Sequence, residues 1–487
     1  MALNITINKT AVAASYPAGS TVATAVASGG TTPYTYSLAT GRDYFNIDSS
    51  TGVVTTKALM NASSIQSFSV TATDSNSTPE SITSGVVYPN IQAAIQNKFS
   101  ESNMIYKITK DIDLGNGILT IPAGCTLDFQ GGSFNNGTIV GSNTKIKAGL
   151  QKIFNNDIIL TGTWNVEESY PEWFGAKNDG TTDSTTAFNK ILKFNSKVVL
   201  SKGTYVVNGW DIDTSVIIFG NGYQNTIIDL KNSIEIHNNN NVSFQGFTIQ
   251  VNDSVTSLDY MIKVHSAFHF TANLCTFYGK SKVSKGIYSY GIVNSYYHTI
   301  TTCRFVEFTD AILLSYNSNG CTISNNEFYQ CDNCVVIDSC NGDRIENNTF
   351  QSYKSKAIVL QYNDYGSKTW GNIISGNYFE GEPTTAIADI DFTNNANCRN
   401  NTIIGNKSTY ITLHHKHILN CISENTIIES TNATYRYPTK LPGFVKLQNF
   451  DEASMTASAT SDFTGVIAPR VLETGAIDLR AYVKNAN

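Results

Sequence analysis

One eight-residue pattern of apolar and polar positions recurs six times in the second half of the chain. Its third position is always Ile, and its sixth is Asn in every copy except the first, which has Cys303 there. The copies are HTITTCRF (298–305), CTISNNEF (321–328), DRIENNTF (343–350), NIISGNYF (372–379), NTIIGNKS (401–408) and NCISENTI (420–427). Because repeats of roughly 20–50 residues are typical of solenoids, the pattern predicts a stack in which each copy adds one turn.

The two invariant positions predict two columns of stacked side chains. The apolar column comprises Ile300, Ile323, Ile345, Ile374, Ile403 and Ile422. The polar column comprises Asn326, Asn348, Asn377, Asn406 and Asn425. Asn tolerates the left-handed backbone of a tight corner and can hydrogen-bond to its neighbours along a stack. We therefore predict an all-β protein whose main part is a right-handed parallel β-helix, with clear repeats over 298–427.

The remaining sequence divides into blocks of different pattern. Short alternating strands separated by Gly, Pro, Ser and Thr over 1–86 predict a small β-sandwich. Residues 87–170 predict irregular strands at the entry to the solenoid, and the β-helix itself is predicted over 171–430. Residues 431–487 predict a C-terminal segment that caps the last turn and joins subunits in a trimer.

The composition narrows the range of partners. Only 15% of the 487 residues are charged and the net charge is −6, so we expect no nucleic-acid binding. No apolar stretch approaches the length of a membrane span, so we expect no membrane insertion. The first residues, MALNITINKTAV, lack the basic and apolar parts of a secretion signal, and we expect synthesis in the cytoplasm without Sec export.

The nine cysteines favour packing over chemistry. Several occupy strand or corner positions of the repeat, where a small apolar thiol packs well. Cys331 and Cys334 form a CxxC motif, for which a metal site or a disulfide is the alternative to buried thiols. No second pair has zinc-site spacing, so we predict no metal and no cofactor.

A second motif precedes the repeats. It consists of Gly175-Ala176, Asp179-Gly180, Asp183, Ala187-Phe188 and Gly203-Thr204-Tyr205. A short capping helix is predicted within it at 182–195, with Thr182 or Asp183 as the N-cap. Over about residues 170–430, the chain resembles the pectate-lyase-like superfamily, in the branch that contains bacteriophage tailspike and tail-fibre proteins.

This resemblance carries implications for assembly and function. It implies a homotrimer in a virion tail, joined to other tail proteins through the N-terminal region. It also implies contact with bacterial surface polysaccharide, which some members cleave as hydrolases or lyases and others only bind. Asp179 and Asp183 would be structural, bonding the turn and capping the helix.

The N-terminal block shows its own resemblance. The segments YSLATGRDYFNIDSSTGVVTTKAL (36–59) and FSVTATDSN (68–76) resemble the core of a cadherin-type repeat. The acidic calcium-binding clusters of that family are missing, with Asp74 the main carboxylate in the expected place. A spacer or virion-docking module without calcium is the expectation.

Glycoside hydrolysis needs two carboxyl groups across the scissile bond. The strands after the corners align as AILLS (311–315), CVVID (334–338), AIVLQ (357–361), AIADID (386–391) and YITLH (410–414), so their last positions form a polar column of Ser315, Asp338, Gln361, Asp391 and His414. If the apolar residues of AIADID face inward, Asp389 and Asp391 face outward together, with Asp338 two strands or roughly 9.5 Å away. We predict these three aspartates as the catalytic carboxylates.

The longest repeats surround further candidates. Glu380, with its neighbour Glu382, is a second choice for a catalytic carboxylate. The substrate-binding candidates, on a loop that lengthens one repeat, are Gln361, Tyr362, Asp364, Tyr365 and Trp370. A second aromatic cluster comprises Tyr288, Tyr290, Tyr296 and Tyr297. Aromatic packing between subunits is the alternative to sugar contact for both groups.

Two other chemistries stay open. A lyase would need a base beside a uronate carboxylate and cations to neutralise it; Lys354, Lys356 and Arg344 lie in a suitable part of the chain. His415 and His417 share one strand face and suggest a metal, but histidines at the surface or in the turns of the solenoid are the preferred explanation. The sequence thus predicts a phage tail protein that hydrolyses polysaccharide, with a lyase and a non-enzymatic receptor-binding or structural fibre as alternatives.

Overall fold

The computed structural model describes most of the chain. The described residues are 2–10, 15–61, 65–89, 91–194, 197–237, 241–265, 267–290, 295–363, 368–382, 384–393, 397–408, 416–421, 425–428, 467–471 and 477–481. The residues group into two compact units, Met1–Glu167 with Glu172–Gly175 and Glu168–Pro171 with Ala176–Asn487. The predicted boundaries at 86, 170 and 430 stay predictions.

The first unit begins with short antiparallel strands. They are β1 (Asn4–Lys9), β2 (Ser15–Tyr16), β3 (Thr21–Ser28), β4 (Thr35–Thr40), β5 (Phe45–Ile47), β6 (Val53–Thr56), β7 (Met60–Asn61), β8 (Ser69–Thr73) and β9 (Ser81–Thr83). One sheet has the order β1-β3-β6-β5 and another β4-β8-β9. Phe45 of the first sheet and Phe68, just before β8, are buried with ring centroids 4.9 Å apart. Two sheets with a shared apolar core form the predicted β-sandwich.

The rest of the first unit changes to parallel pairing. It contains α1 (Ile91–Lys98), β10 (Ile105–Ile108), β11 (Ile112–Thr120), β12 (Thr126–Phe129), β13 (Phe134–Lys147) and β14 (Ile158–Trp164). Strands β10 and β11 pair with β12 and β13 in parallel, and β13 also pairs with β12 and β14. Phe129, Phe134 and Phe154 pack edge to face beneath these strands.

The second unit is a parallel β-helix. Its strands are β15 (Glu168–Ser169), β16 (Asp179–Asp183), β17 (Lys197–Val199), β18 (Gly203–Ile212), β19 (Val216–Phe219), β20 (Thr226–Ile236), β21 (Val242–Gln245), β22 (Thr248–Val251), β23 (Leu258–His265), β24 (Thr271–Asn273), β25 (Thr276–Tyr290), β26 (Thr299–Thr301), β27 (Arg304–Ser315), β28 (Thr322–Ser324), β29 (Glu327–Tyr329), β30 (Asn333–Asp338), β31 (Arg344–Glu346), β32 (Thr349–Gln351), β33 (Lys356–Gln361), β34 (Thr369–Trp370), β35 (Ile373–Ser375), β36 (Tyr378–Glu380), β37 (Ala388–Phe392), β38 (Cys398–Arg399), β39 (Thr402–Ile404), β40 (Lys407–Ser408), β41 (Lys416–Leu419) and β42 (Thr426–Ile428). An 11-stranded sheet runs from β15 to β42, and a 15-stranded sheet contains β16, β18, β20 and the strands that follow them in each turn. With about 12 turns and only 5% helix, the chain confirms the predicted all-β fold.

The capping helix is shorter than predicted. Helix α2 spans Thr185–Ile191, followed by a 3₁₀ turn, and its N-cap is Ser184 rather than Thr182 or Asp183. The reason is that Asp179 accepts the backbone N–H of Thr182 at 2.8 Å and keeps that residue in the preceding turn. Asp179 thus bonds the turn as expected, whereas Asp183 accepts the N–H of Thr185 at 2.8 Å from one residue before the N-cap.

The repeat produces the predicted apolar column. Ile300, Ile323, Ile345, Ile374 and Ile403 are consecutive partners in the 11-stranded sheet, and each is buried. The eighth position adds a second column, in which Phe277, Phe305, Phe328, Phe350 and Phe379 stack face to face with centroids 4.7–5.1 Å apart. Offset aromatic stacking contributes stabilisation beyond the burial of apolar area.

The asparagines form two ladders. In one, Asn326, Asn348, Asn377 and Asn406 each accept the backbone N–H of the residue one turn earlier at 2.9 Å. Their side-chain amides donate to backbone carbonyls of the earlier turns. Both halves of each buried amide are therefore satisfied, which a buried polar group requires.

The sixth copy of the repeat was placed in the wrong register. Ile427, not Ile422, pairs with Ile403. Asn425 consequently lies in the second ladder, where it accepts the N–H of Asn401 at 2.9 Å. The physical reason is that NTII recurs at 425–428 as it stands at 401–404, so the true interval is the longer one. Ile422 itself lies outside the described residues.

Little of the C-terminal segment can be compared with its prediction. β43 (Ile467–Val471) and β44 (Ile477–Ala481) pair antiparallel, and the other residues of 431–487 lie outside the described ones. The predicted capping and trimerisation role stays a prediction.

Candidate active site

The candidate catalytic side chains lie on the outer face of the 15-stranded sheet. We define the outer face as the outward side of the second halves of β18, β20, β25 and β27 together with β23, β30, β33, β37 and β41. In β20, Ile234 and Ile236 point into the core while Glu235 between them is partly exposed. The alternation of a β-strand thus presents every second residue on this face.

Four side chains at the start of the outer face form what we call the histidine–carboxylate cluster: Asp211, Glu235, His237 and His265. The imidazole rings of His237 and His265 stack in successive turns, with centroids 5.4 Å apart and planes 6° from parallel. His237 Nε2 contacts Asp211 Oδ1, and His265 Nε2 lies 3.9 Å from Glu235 Oε2. Each imidazole therefore has its own carboxylate from the preceding turn.

A lysine and several tyrosines adjoin the cluster. Glu235, Lys263 and Tyr288 are successive partners in the sheet, so Lys263 lies between an acid and an aromatic ring. Its Nζ lies 5.3 Å from the ring centroid of Tyr260 and 5.9 Å from that of Tyr290. Such contacts of a cation with aromatic faces are favourable and keep the lysine extended over the face.

The charge of Lys263 is uncompensated among the described residues. Two other lysines on this side of the sheet are neutralised: Lys285 Nζ is 2.7 Å from Asp259, and Lys356 Nζ is 2.5 Å from Asp391. Lys263 makes no ion pair within the described ranges. A cation without a carboxylate partner on an accessible surface is suited to bind an anionic group of a ligand.

The surroundings tune the protonation of the cluster. Partial burial, and next the positive charge of Lys263, lower the pKa of His265, so its imidazole is neutral near pH 7. Burial and the hydrogen bond to Glu235 raise the pKa of Tyr260 to about 12, so its hydroxyl keeps its proton. That hydroxyl donates to Glu235 Oε1 at 2.8 Å. The cluster thus offers a neutral base in His265, and the adjoining Tyr260 and Lys263 add a proton donor and a cation.

The predicted polar column is confirmed in part. Ser315, Asp338 and Gln361 are successive partners in the sheet. Asp338 is buried, and its Oδ2 accepts the amides of Asn363 at 2.6 Å and Gln361 at 3.3 Å. The side-chain amide of Gln361 therefore donates a hydrogen bond to its neighbour Asp338 and is not directed only to solvent.

Asp391 does not belong to that column. It pairs with Val359, two residues before the position of Gln361, and so stands in the column of Leu313 and Val336. This offset places the backbones of Asp338 and Asp391 roughly 12 Å apart rather than 9.5 Å. Asp391 is also engaged, since Lys356 forms an ion pair with it and Thr393 and Asn420 donate to it at 2.7 and 2.8 Å.

Asp389 faces the interior, against the expectation that it lies outside with Asp391. Its side chain is fully buried, hydrogen-bonded to the Tyr353 hydroxyl and 2.6 Å from His417 Nδ1. His417 packs edge-on against Phe379, the last ring of the stack. Asp389 is the second residue of β37, next to the corner of the turn; all five residues of this strand are buried, so alternate residues are not exposed, and the carboxylate finds its partners in the core.

The other predicted residues are dispersed. Glu380 is partly exposed in β36, opposite Gln351, away from the outer face. Trp370 is 48% exposed on a turn, where it pairs with Arg399. Gln361 and the partly exposed Tyr362 end β33 and its turn. Asp364 and Tyr365 lie outside the described residues, so their predicted contact with sugar stays a prediction.

The cysteines and histidines follow the simpler alternatives where they are described. All nine cysteines are buried free thiols, including Cys331 and Cys334. His414 and His415 lie outside the described residues, and the strand that continues the sheet is β41, not the predicted YITLH (410–414). Within the described ranges, no three His, Cys, Asp or Glu side chains group as metal ligands.

The histidine–carboxylate cluster was missed because it precedes the repeats. The signal was present in the sequence: Ile234-Glu-Ile-His237 and Ile262-Lys-Val-His265 alternate apolar and polar residues with period two. The same alternation that assigns Asp338 to the outer face assigns these four polar residues to it. The predicted strand alignment begins at residue 311 and therefore does not include these four residues.

Comparisons with known proteins agree with the fold. Residues 172–276 match the family model of rhamnogalacturonase A/epimerase, pectate lyase-like, and residues 225–410 match that of periplasmic copper-binding protein (NosD). No curated protein matches the chain. No helix in the described part of the chain has the length and hydropathy of a membrane span.

Several solved structures match part of the chain at low similarity. A mannuronan C-5 epimerase A-module of Azotobacter vinelandii is 13% identical, with a TM-score of 0.37, over 58% of this chain and 100% of that one. The tailspike protein of Acinetobacter baumannii phage AM24 is 14% identical, with a TM-score of 0.33, over 55% of each chain. A Geobacillus virus E2 protein, ORF18, is 11% identical, with a TM-score of 0.32, over 58% of this chain and 61% of that one.

The strand topology and the family model that matches residues 172–276 lead to the same assignment. The second unit of this chain is a parallel β-helix, and within it residues 172–276 match the pectate-lyase-like family model.

Proposed function

We propose that this protein binds a bacterial surface polysaccharide along the outer face and cleaves it at the histidine–carboxylate cluster. The observation that carries the proposal is the stacked pair of His237 and His265, each with its carboxylate, beside the uncompensated Lys263. The arrangement is suited to proton transfer, because imidazoles beside carboxylates and a cation on a partly exposed surface are the groups that general acid–base catalysis uses.

Sugar binding is supported by the tyrosines of the face. Tyr260, Tyr288 and Tyr290 follow one another with centroids 6.3 and 5.6 Å apart, and all three are partly exposed. Flat aromatic faces with a few polar groups are typical of ligand sites. Downstream, Leu313, Val336 and Val359 continue the same column as an apolar floor.

Elimination at a uronate residue is the chemistry that the cluster supports best. The neutral imidazole of His265 would remove the proton from the carbon beside the carboxylate, while Lys263 balances the negative charge that develops there. The C–O bond to the leaving sugar then breaks, its electrons pass to the departing oxygen, and a tyrosine hydroxyl supplies the proton. A double bond remains in the uronate ring.

Hydrolysis by paired carboxylates is the second candidate, favoured by one observation. Asp211 and Glu235 are direct partners in successive strands, so their backbones are about 4.8 Å apart. Carboxyl groups about 5–5.5 Å apart are typical of retaining glycosidases. This pair replaces the predicted Asp338, Asp389 and Asp391 as the carboxylates suited to hydrolysis.

The place of action rests on the sequence motif at residues 175–205. Its resemblance to tailspike proteins supports a virion tail, a homotrimer and attachment to other tail proteins through the N-terminal region. A non-enzymatic fibre protein is the alternative if no glycan is cleaved. These assignments are proposals that electron microscopy of virions with an antibody against the N-terminal sandwich would test.

The cleavage proposal is tested with purified protein and a panel of bacterial capsular polysaccharides. Unsaturated products that absorb in the far ultraviolet would support elimination. New reducing ends without a gain in far-ultraviolet absorbance would support hydrolysis. His265→Ala and Lys263→Ala should remove elimination, whereas Lys280→Ala, whose lysine is paired with Asp253 away from the cluster, should not. Cleavage that persists in both cluster variants would contradict the proposal.

A further inference from the structure

A group of aromatic side chains lies on a turn of the β-helix beside the outer face, not on the face itself. We call it the aromatic edge and define it as Phe268, His269, Tyr296, Tyr297 and Trp370. Phe268 and Tyr296 are bridge partners in successive turns with rings 5.8 Å apart, and His269 stacks on Tyr297 at 5.6 Å with planes 19° from parallel. Tyr297 is 56% exposed and Trp370 48%.

Two of these residues occupy a backbone conformation that disfavours them. His269 and Tyr297 have φ of 53° and 62°, in the left-handed region that bulky residues rarely adopt. The equivalent position of the next turn is glycine: Gly320, with φ of 68°, follows Tyr297 in the stack, because Tyr297 donates its N–H to Asn319. Left-handed residues other than glycine recur at the corners of this β-helix, as at Glu307 and Tyr316, and this corner is distinguished by two of them that carry stacked rings.

The ring of Tyr297 is seated by its neighbour. A Cβ at Gly320 would lie 2.9 Å from two ring atoms of Tyr297, so the ring rests closely over the bare glycine. Because His269 stacks on the ring from the preceding turn, the ring is fixed between its two neighbours, while 56% of the residue stays exposed. A side chain held in place loses little freedom when a ligand contacts it.

Between the two exposed rings lie neutral polar groups. Trp370 belongs to the third turn after Tyr297, which puts the two about 14 Å apart along the stack. Asn319 and Asn341 stand in the turns between them, joined by a hydrogen bond from the Asn341 N–H to the Asn319 side chain at 2.8 Å. Flat apolar rings and amides suit the ring faces and hydroxyls of a sugar chain.

From these observations we infer that the aromatic edge is a second glycan site, which holds a neutral stretch of polysaccharide between Tyr297 and Trp370. The stretch is neutral because the side chains of Tyr297, Asn319, Asn341 and Trp370 have no formal charge, in contrast to Lys263 on the outer face; Arg399 lies one turn beyond Trp370, outside this stretch. The inference takes its ligand class from the proposed function, but it concerns binding and not cleavage. A second contact along the same helix would raise the avidity for a long chain.

Tyr297→Gly is the sharpest test, because it removes the ring and also relieves the backbone. The polysaccharide that the wild-type protein binds best on a printed array of bacterial capsular and O-chain glycans is the probe. We expect Tyr297→Gly to fold with an unchanged or higher melting temperature and to weaken calorimetric affinity by about tenfold or more. Tyr297→Phe, which keeps the flat face, should retain binding. Tyr223→Ala, at an exposed tyrosine elsewhere in the solenoid, should stay within about twofold.

Fluorescence gives a second readout. Of the four tryptophans, Trp173 and Trp210 are buried, Trp164 is partly exposed and Trp370 is 48% exposed, so the difference in quenching between the wild type and Trp370→Phe isolates the signal of Trp370. Glycan bound at the aromatic edge should protect Trp370 from iodide quenching, also in the His265→Ala variant that no longer cleaves.

The outcomes separate the two proposals. Lowered stability of Tyr297→Gly with unchanged affinity, or no protection of Trp370 by a glycan that binds, would overturn the aromatic edge alone. A wild-type protein that binds no glycan on the array would overturn the proposed function together with this inference.

Discussion

The two halves of the β-helix differ in how they use the same architecture. Downstream, over 298–428, the sequence repeats, and its Ile, Phe and Asn columns lie in the core or at buried corners. Upstream, over 203–290, the sequence shows no such phrase, yet the strands stack in the same register. The residues suited to chemistry, Asp211 to His265, belong to the upstream half.

The difference follows from what each position must satisfy. A repeated residue stands in the same environment in every turn, so it is selected for stacking on itself. A proton-transfer site needs unlike groups side by side, and it therefore interrupts repetition. The downstream carboxylates fit this distinction, since Asp389 and Asp391 are held by core and ion-pair partners.

The largest effect should come from neutralising a carboxylate in the upstream half and comparing it with the same change in the downstream half. Glu235→Gln should lower the cleavage rate by about 10³-fold, or about 4 kcal/mol of barrier, because it removes the negative charge that favours protonation of His265 and the carboxylate that positions the Tyr260 hydroxyl. Asp338→Asn and Asp391→Asn should each change it by less than about threefold. Initial rates on the cleaved polysaccharide measure both. Equal losses in the two halves would erase the distinction.

Next in size is the asparagine ladder. Asn348→Ala leaves the backbone N–H of Asn326 and a carbonyl without their partners in a buried corner, and should cost about 3 kcal/mol of unfolding free energy. His265→Ala, on the exposed upstream face, should stay within about 1 kcal/mol. Denaturant titration of both variants gives the comparison. A larger loss in His265→Ala would mean that the cluster is structural.

The phenylalanine stack gives a smaller effect. Phe350 has ring neighbours on both sides, at 4.9 and 5.1 Å, and Phe350→Leu should cost about 1–2 kcal/mol. Phe247→Leu, outside the stack, is the matched control and should cost less in the same titration. If the control loses as much as Phe350→Leu, face-to-face stacking adds nothing to burial.

The smallest effect is a gain. Asp343 occupies an asparagine position of the second ladder, where its Oδ1 accepts the N–H of Cys321 at 2.8 Å, and full burial raises its pKa well above the usual range. The folded state therefore retains a proton that the unfolded state releases as pH rises. Stability from this group is present below the ordinary pKa and is lost by about 1.4 kcal/mol per pH unit as pH rises towards the folded pKa.

Asp343→Asn should remove that dependence and stabilise the protein by about 1 kcal/mol or more at pH 7, with no gain at pH 3. Melting temperatures between pH 3 and pH 8 measure it. Asp179→Asn is the opposite control: hydrogen bonds from Thr182 and Thr181 lower the pKa of Asp179, so this variant should lose stability at pH 7. A pH-independent gain for Asp343→Asn would show that the carboxyl is not buried as a neutral acid.

The sequence predicts the repetitive downstream half of the β-helix well and the upstream site poorly. The Ile and Asn positions predicted the β-helix, because self-stacking leaves a periodic trace in the sequence. Ile422 was wrong because NTII at 425–428 continues the pattern after a longer turn. Asp389 was wrong because all five residues of β37 are buried, which sequence spacing alone does not reveal. The partners of His237 and His265 come from separate turns, so their grouping needed the register of the strands.

The most direct measurement is a crystal structure of the His265→Ala protein soaked with an oligosaccharide of the cleaved glycan. The account predicts sugar density over Lys263 and the rings of Tyr260 and Tyr290, with an anionic group of the sugar within ion-pair distance of Lys263 Nζ. Density along Asp338, Gln361 and Asp391 with none over Lys263 would contradict it.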